Sequence, residues 1–99
     1  MEAPAFAVEP RADGSIRVAG ELDMSRVESV ERVLAPLVAA DSVVVVDLSE
    51  LTFCDSSAIR LLFQLYRRAV ECGGGLQLVG APAAIRKVFA IAGLDDLLS

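Results

Sequence analysis

Histidine and tryptophan are absent from the 99-residue sequence, and tyrosine occurs once. Without histidine the commonest general base and metal ligand is missing, so Ser-His-Asp and Cys-His catalysis and the usual zinc sites cannot be assembled. Basic residues are scarce too: 9 Lys and Arg face 14 Asp and Glu, for a net charge of −5. That balance, with so few aromatic stacking platforms, argues against nucleic acid and against an acidic bilayer surface as partners. No apolar run is long enough to span a bilayer, and Met1-Glu-Ala-Pro lacks the basic start of a signal peptide. Cysteine is limited to Cys54 and Cys72. They flank a helix in the reading below, about 24 Å apart, which is too far to bridge. A reducing cytoplasm suits this usage.

What is present is a chain 55% apolar, enough at this length to bury a core as one compact domain over residues 1–99 without metal or disulfides. Ala5–Glu9 and Ser15–Gly20 alternate in polarity around the turn residues Pro10–Gly14, which predicts a β-hairpin. Asp23 then stands where it can cap a helix whose apolar residues Val27, Val30, Leu34, Leu37 and Val38 recur every three or four positions. Val43–Val46 is short and continuously apolar, the pattern of a central strand covered on both faces. A second helix is expected from Ser56 to Cys72, stopped by Gly73-Gly74-Gly75. Its polar residues, Ser57, Arg60, Gln64, Arg67, Arg68 and Glu71, fall within about 100° of arc. Of the wide apolar remainder, Ile59, Phe63, Tyr66 and Val70 suit the sheet, while Leu61 and Leu65 lie toward the other edge, where they could meet a partner or another helix; plain core is the favoured reading of the arc. Leu76–Val79 predicts a strand and Ala83–Ala92 a third helix with Ile85, Val88 and Phe89 inward, ended by Gly93. The order ββαβαβα describes an α/β domain with a mixed sheet.

Charge divides sharply along the chain. Residues 1–55 carry 4 basic and 11 acidic groups, residues 56–99 carry 5 and 3, and the boundary is Asp55-Ser56-Ser57. These residues lead from a strand and its loop into a helix N-terminus, where open α/β sheets present function and free N–H groups favour negative charge. Asp55 or either serine could equally be a plain helix cap, and residue type alone does not separate the two roles. Other motifs carry less. Gly73-Gly74-Gly75 follows a helix, the wrong order for a phosphate loop. A nucleophilic Ser56 would find no histidine to activate it, which argues against an enzyme. Asp95-Asp96 reads as a solvated pair rather than a metal site, and Cys54 as a small buried apolar group.

Asp55-Ser56-Ser57, placed after Val43-Val-Val-Val-Asp-Leu-Ser-Glu-Leu-Thr-Phe-Cys54 and before Ala58-Ile59-Arg60-Leu61-Leu62, resembles the STAS domain of bacterial anti-sigma factor antagonists. Gly20-Glu21-Leu22-Asp23 is similar to a second motif of that family. Gly80-Ala-Pro-Ala-Ala-Ile-Arg-Lys-Val-Phe with Ala92-Gly93-Leu94 is similar to a third. Three motifs in register across nearly the whole chain make the resemblance specific. It implies a STAS-like single domain, without cofactor, metal or catalytic activity, that acts in transcription control in the bacterial cytoplasm. In that family the unphosphorylated antagonist binds an anti-sigma factor that is also a serine kinase, and so frees a sigma factor. The kinase then phosphorylates the serine after the Asp, and a PP2C-type phosphatase resets it.

Carried over, the phosphorylated residue is Ser56, although Ser57 sits more centrally on the polar face of the helix. Asp23 would meet a basic residue of the kinase, and Glu21, Asp55, Ser57 and Arg60 complete the implied partner-binding set. Two departures stand out: Ala58 replaces a frequent glycine, and the sequence stops at Ser99 where relatives continue with a strand and a helix. A truncation, a short variant and an element exchanged in a homodimer are all compatible with that. The alternative reading is a STAS accessory or scaffold subunit, in a lipid-transport or signalling complex, whose serine is structural.

Overall fold

Arg11–Ser15 reverses the chain through hydrogen bonds from Arg11 N to Ser15 O and Gly14 N to Arg11 O, at 2.8 and 3.0 Å. The turn joins β1 (Ala7–Pro10) to β2 (Ile16–Leu22) as an antiparallel hairpin with Ala7 opposite Ala19. The computed structural model describes residues 5–99, so the reading of Met1-Glu-Ala-Pro lies outside the described residues. After the hairpin come α1 (Val27–Val38), β3 (Val43–Asp47), β4 (Leu51–Cys54), α2 (Ser56–Glu71), β5 (Gly75–Val79), α3 (Ala83–Ile91) and a 3-10 turn at Asp95–Leu97. The sheet runs β1-β2-β3-β5, and β4 also pairs with β2. Among the described residues only the hairpin is antiparallel; β2–β3, β2–β4 and β3–β5 are parallel. The mixed α/β sheet is therefore the one expected, with one strand added.

That strand, β4, was not foreseen. Its burial runs buried, exposed, exposed, buried, so it lacks the alternation by which a strand is read. The cause is a bulge: Gly20 faces Leu51 but Glu21 faces Phe53, which leaves Thr52 as an extra residue on β4. Gly20 makes the local geometry feasible. Its φ is +83°, and a Cβ there would lie 2.7 Å from the Phe6 backbone nitrogen.

Expectations for β3 and α2 need correction. Val44 and Val46 are buried with Ile16, Val18, Leu22, Leu76 and Leu78, whereas Val43 is exposed and Val45 half-buried. One face of the sheet meets the helices; the other carries Arg17, Val45, Asp47 and Gln77 and is partly open. Burial alternates along β3 even though residue type does not. On that open side Arg17 donates to Glu50 from Nε at 2.6 Å and from Nη2 at 3.1 Å, and Arg11 pairs with Asp47 at 2.6 Å. In α2 the buried residues are Ala58, Ile59, Leu61, Leu62, Leu65 and Ala69, while Phe63 and Tyr66 are half-buried and Val70 is exposed. Leu61 and Leu65 are core, as the favoured reading had them; the part to correct is Phe63, Tyr66 and Val70, because α2 packs on α1 as well as on β5 and turns the middle of its apolar arc between them. The stop of α2 matches the reading: Gly73, at φ +87°, and Gly74 donate to Val70 O and Ala69 O, both at 3.0 Å. Those two bonds satisfy the last carbonyls of the helix.

Candidate functional site

The parallel pairing of β2 with β4 sets Leu22 opposite Cys54, so both strands end side by side and release two loops at one place. Asp55 follows β4 and donates its backbone N–H to Leu22 O at 3.3 Å. It is the N-cap of α2, with extended backbone (φ −103°, ψ −177°). Its Oδ1 accepts from Ala58 N at 3.0 Å and from the Ser57 hydroxyl at 2.5 Å. Its Oδ2 accepts from Met24 N, 31 positions earlier, at 3.1 Å. One carboxylate therefore starts the helix, holds Ser57 and ties down the Asp23–Met24 loop. The Ser57 hydroxyl above all holds the Asp55 carboxyl below its ordinary range against the upward push of burial, with smaller help from the backbone amides of Ala58 and Met24.

The remaining candidates surround this carboxylate unequally. Ser56, the first residue of α2, is exposed, and among the described residues nothing hydrogen-bonds its hydroxyl. Ser57 is half-buried and engaged. Arg60 is exposed one turn along, with no ion pair among the described residues. Glu21 is exposed on β2 opposite Phe53.

Asp23 is not the cap of α1. Its Oδ1 accepts from Ser25 N and Ser25 Oγ, at 3.0 and 2.5 Å, and its carbonyl from Arg26 N at 2.9 Å. Residues 24–26 thus form a turn, and α1 starts after Arg26 with no side-chain cap, since a carboxylate spent two residues ahead cannot also reach the helix.

Two features escaped sequence reasoning. Met24 is 73% exposed beside Asp55, and a groove of about 380 Å³ opens between α2 and α3. Ser56 and Arg60 line the groove together with Ile59, Phe63, Val88, Ile91, Ala92 and Leu94. Its only sequence signal was the excessive width of the α2 apolar arc. Cys54, by contrast, is buried as expected, and burial first, then the charge of Asp55, pushes its thiol up to about 11.

The family model described as Mlab, STAS domain, matches residues 6–99. The chain belongs to the STAS domain family. The anti-sigma factor antagonist SpoIIAA in its unphosphorylated form has a TM-score of 0.76 at 27% identity, covering 96% of this STAS domain and 86% of that chain. The phosphorylated form of the Bacillus cell fate determinant SpoIIAA gives 0.71 at 27% identity, covering 96% and 89%. A proposed anti-sigma factor antagonist from Thermotoga maritima shares the fold, with a TM-score of 0.71 at 16% identity over 95% of this chain and 83% of that one. The STAS domain thus resembles anti-sigma factor antagonists over nearly its whole length. Among the described residues no helix is long and apolar enough to cross a membrane.

Proposed function

We propose that this STAS domain is a cytoplasmic anti-sigma factor antagonist whose binding to an anti-sigma serine kinase is switched by phosphorylation of Ser56. One observation carries the reading: Asp55 occupies the Ser57 hydroxyl and anchors the Asp23 loop, while the Ser56 hydroxyl beside it is exposed and unengaged. Likeness to SpoIIAA in both its unphosphorylated and its phosphorylated form supports it, since one fold accommodates both states of that protein. In the reaction the Ser56 Oγ bonds to the γ-phosphorus of ATP as the bond to the β–γ bridging oxygen breaks. ADP leaves, and the hydroxyl proton passes to a base of the kinase. A PP2C-type phosphatase reverses the state by hydrolysis. The domain supplies the acceptor and a docking face, and no catalytic group.

The phosphate adds about −1.5 to −2 charges at a helix N-terminus, where the free domain tolerates an anion. Like-charge repulsion from Asp55 is screened by solvent. A partner surface fitted to a hydroxyl meets bulk and charge, at a cost of about 2–5 kcal/mol, so affinity falls at least tenfold. Asp23 and Glu21 offer carboxylates to a basic partner residue. The competing reading, a fixed accessory or scaffold subunit, needs a structural serine, and the serine with a structural bond is Ser57.

The test is incubation with the serine kinases of the same genome, with the phosphate located by mass. Ser56→Ala should abolish phosphorylation and keep binding, and Ser56→Asp should weaken binding. Loss of the phosphate on Ser57→Ala alone would overturn the assignment.

A further inference from the structure

The α2–α3 groove begins at Ser56 and is otherwise almost wholly apolar, with Arg60 as its one charged wall. Ile91, 79% exposed, forms its outer lip and is more exposed than any other large apolar residue among those described. Arg67, seven residues beyond Arg60 and on the same side of α2, has its guanidinium 5.9 Å from the centre of the Phe63 ring, which lines the groove. Two cations thus stand about 10 Å apart along α2, Arg60 in the groove wall and Arg67 just beyond it, with Phe63 between them and Glu71 one turn past Arg67. Among the described residues neither forms an ion pair, and Asp95 and Asp96, which follow Leu94, do not reach them. From Ser56 to Leu94 the chain carries five basic residues and one acidic, in a protein of net charge −5.

From this placement we infer that the groove receives an acidic amphipathic helix of the partner. Resting on the antagonist reading, this names the second half of the same interface. Apolar side chains spaced three or four residues apart would fill the space over Ile59, Phe63 and Ile91, and two carboxylates seven residues apart would meet Arg60 and Arg67. A second copy of this chain is a poor occupant, because a two-fold contact would set the arginines of one copy against those of the other. Since Ser56 lines the same groove, its phosphate would place negative charge where the partner's carboxylates arrive.

The test uses two synthetic 18-residue amphipathic helices with a leucine stripe, one with glutamates seven apart beside the stripe and one with lysines there. Each is titrated into the isotope-labelled domain. The acidic peptide should shift the amides of Ile59, Phe63, Val88 and Ile91. Ile91→Asp, at an exposed position that leaves the melting temperature unchanged, should weaken its binding at least about tenfold. Arg60→Glu with Arg67→Glu should transfer the preference to the basic peptide. No binding, equal binding of both peptides, shifts elsewhere, or self-association of the free domain through Ile59 and Ile91 would each overturn the inference. Phosphate on Ser56 without acidic-peptide binding would remove this proposal and leave the switch standing. Peptide binding without any phosphorylation of Ser56 would do the reverse.

Discussion

Asp55 is the residue on which the site is most dependent, and its removal has a magnitude that follows from its three hydrogen bonds. Asp55→Ala deletes the cap of α2, worth about 1 kcal/mol, and a negative charge at the helix start, worth about 0.3–1 kcal/mol. The freed Met24 amide and Ser57 hydroxyl lie where water can replace the carboxylate, so they add little. A total of about 1–2 kcal/mol corresponds to a fall in Tm of roughly 5–15 °C for a domain of this size. Asp55→Asn keeps an oxygen for Ala58 and Ser57 but loses the charge and the acceptor for Met24, and should lose about half as much.

Acid provides the internal control. The Asp55 carboxyl is held down in the folded state, so folding favours its ionised form. The stabilisation is complete above the unfolded value near 4 and disappears as pH falls through the folded value. Asp47 and Glu50 are also held down, by hydrogen bonds chiefly from Ser49 and from Arg17 respectively, so the parent loses stability there for several reasons. Comparing parent with Asp55→Asn subtracts them. Melts followed by circular dichroism should show the full gap at pH 7 and a closing gap below about pH 4. An Asp55→Ala protein melting with the parent, or a gap to Asp55→Asn that persists at the lowest pH, would refute the account of this carboxylate.

Three further outcomes are expected. Gly20→Ala should destabilise by more than about 1 kcal/mol, read as a lowered urea midpoint, because the positive φ and the close Phe6 backbone leave no room for a Cβ. At pH 8 iodoacetamide should label the exposed Cys72 and spare Cys54, whose thiol is buried and pushed up to about 11; mass mapping of equal labelling would contradict the burial. Asp23→Asn should lower kinase affinity while Tm moves by no more than a degree or two, since asparagine serves the Ser25 turn nearly as well; equal loss of both would make Asp23 structural.

Legibility in the sequence followed the range of the interactions involved. The bounds of α2 and its glycine stop were readable because capping, periodicity and the final hydrogen bonds all lie within one segment. The partial exposure of Phe63 and Tyr66 and the full exposure of Val70 were not, because a helical wheel gives the width of an apolar arc but not the direction of the neighbours that cover it. Asp23 was misread for a similar reason: an Asp before a helical pattern looks the same whether it caps the helix or closes a turn ahead of it.

The link between the Asp23 loop and Asp55 is the least local feature, and it shows how the fold makes the site. Nothing in the two motifs states that Met24 N reaches Asp55 Oδ2; the contact exists because Leu22 and Cys54 are opposite each other at the ends of parallel strands. That register is reached only through the extra residue at Thr52 beside Gly20. A slip of one residue in β4 would turn Cys54 out of the core and carry Asp55 away from both Leu22 O and Met24 N. The bulge is therefore part of the site, although neither Gly20 nor Thr52 touches Ser56 in the chemistry proposed. A variant that removes the bulge by deleting Thr52 should, if it folds, lose the Met24 amide's bonded chemical shift and partner binding together. Retained binding after that shift had gone would show that the Asp23 loop and the serine act independently.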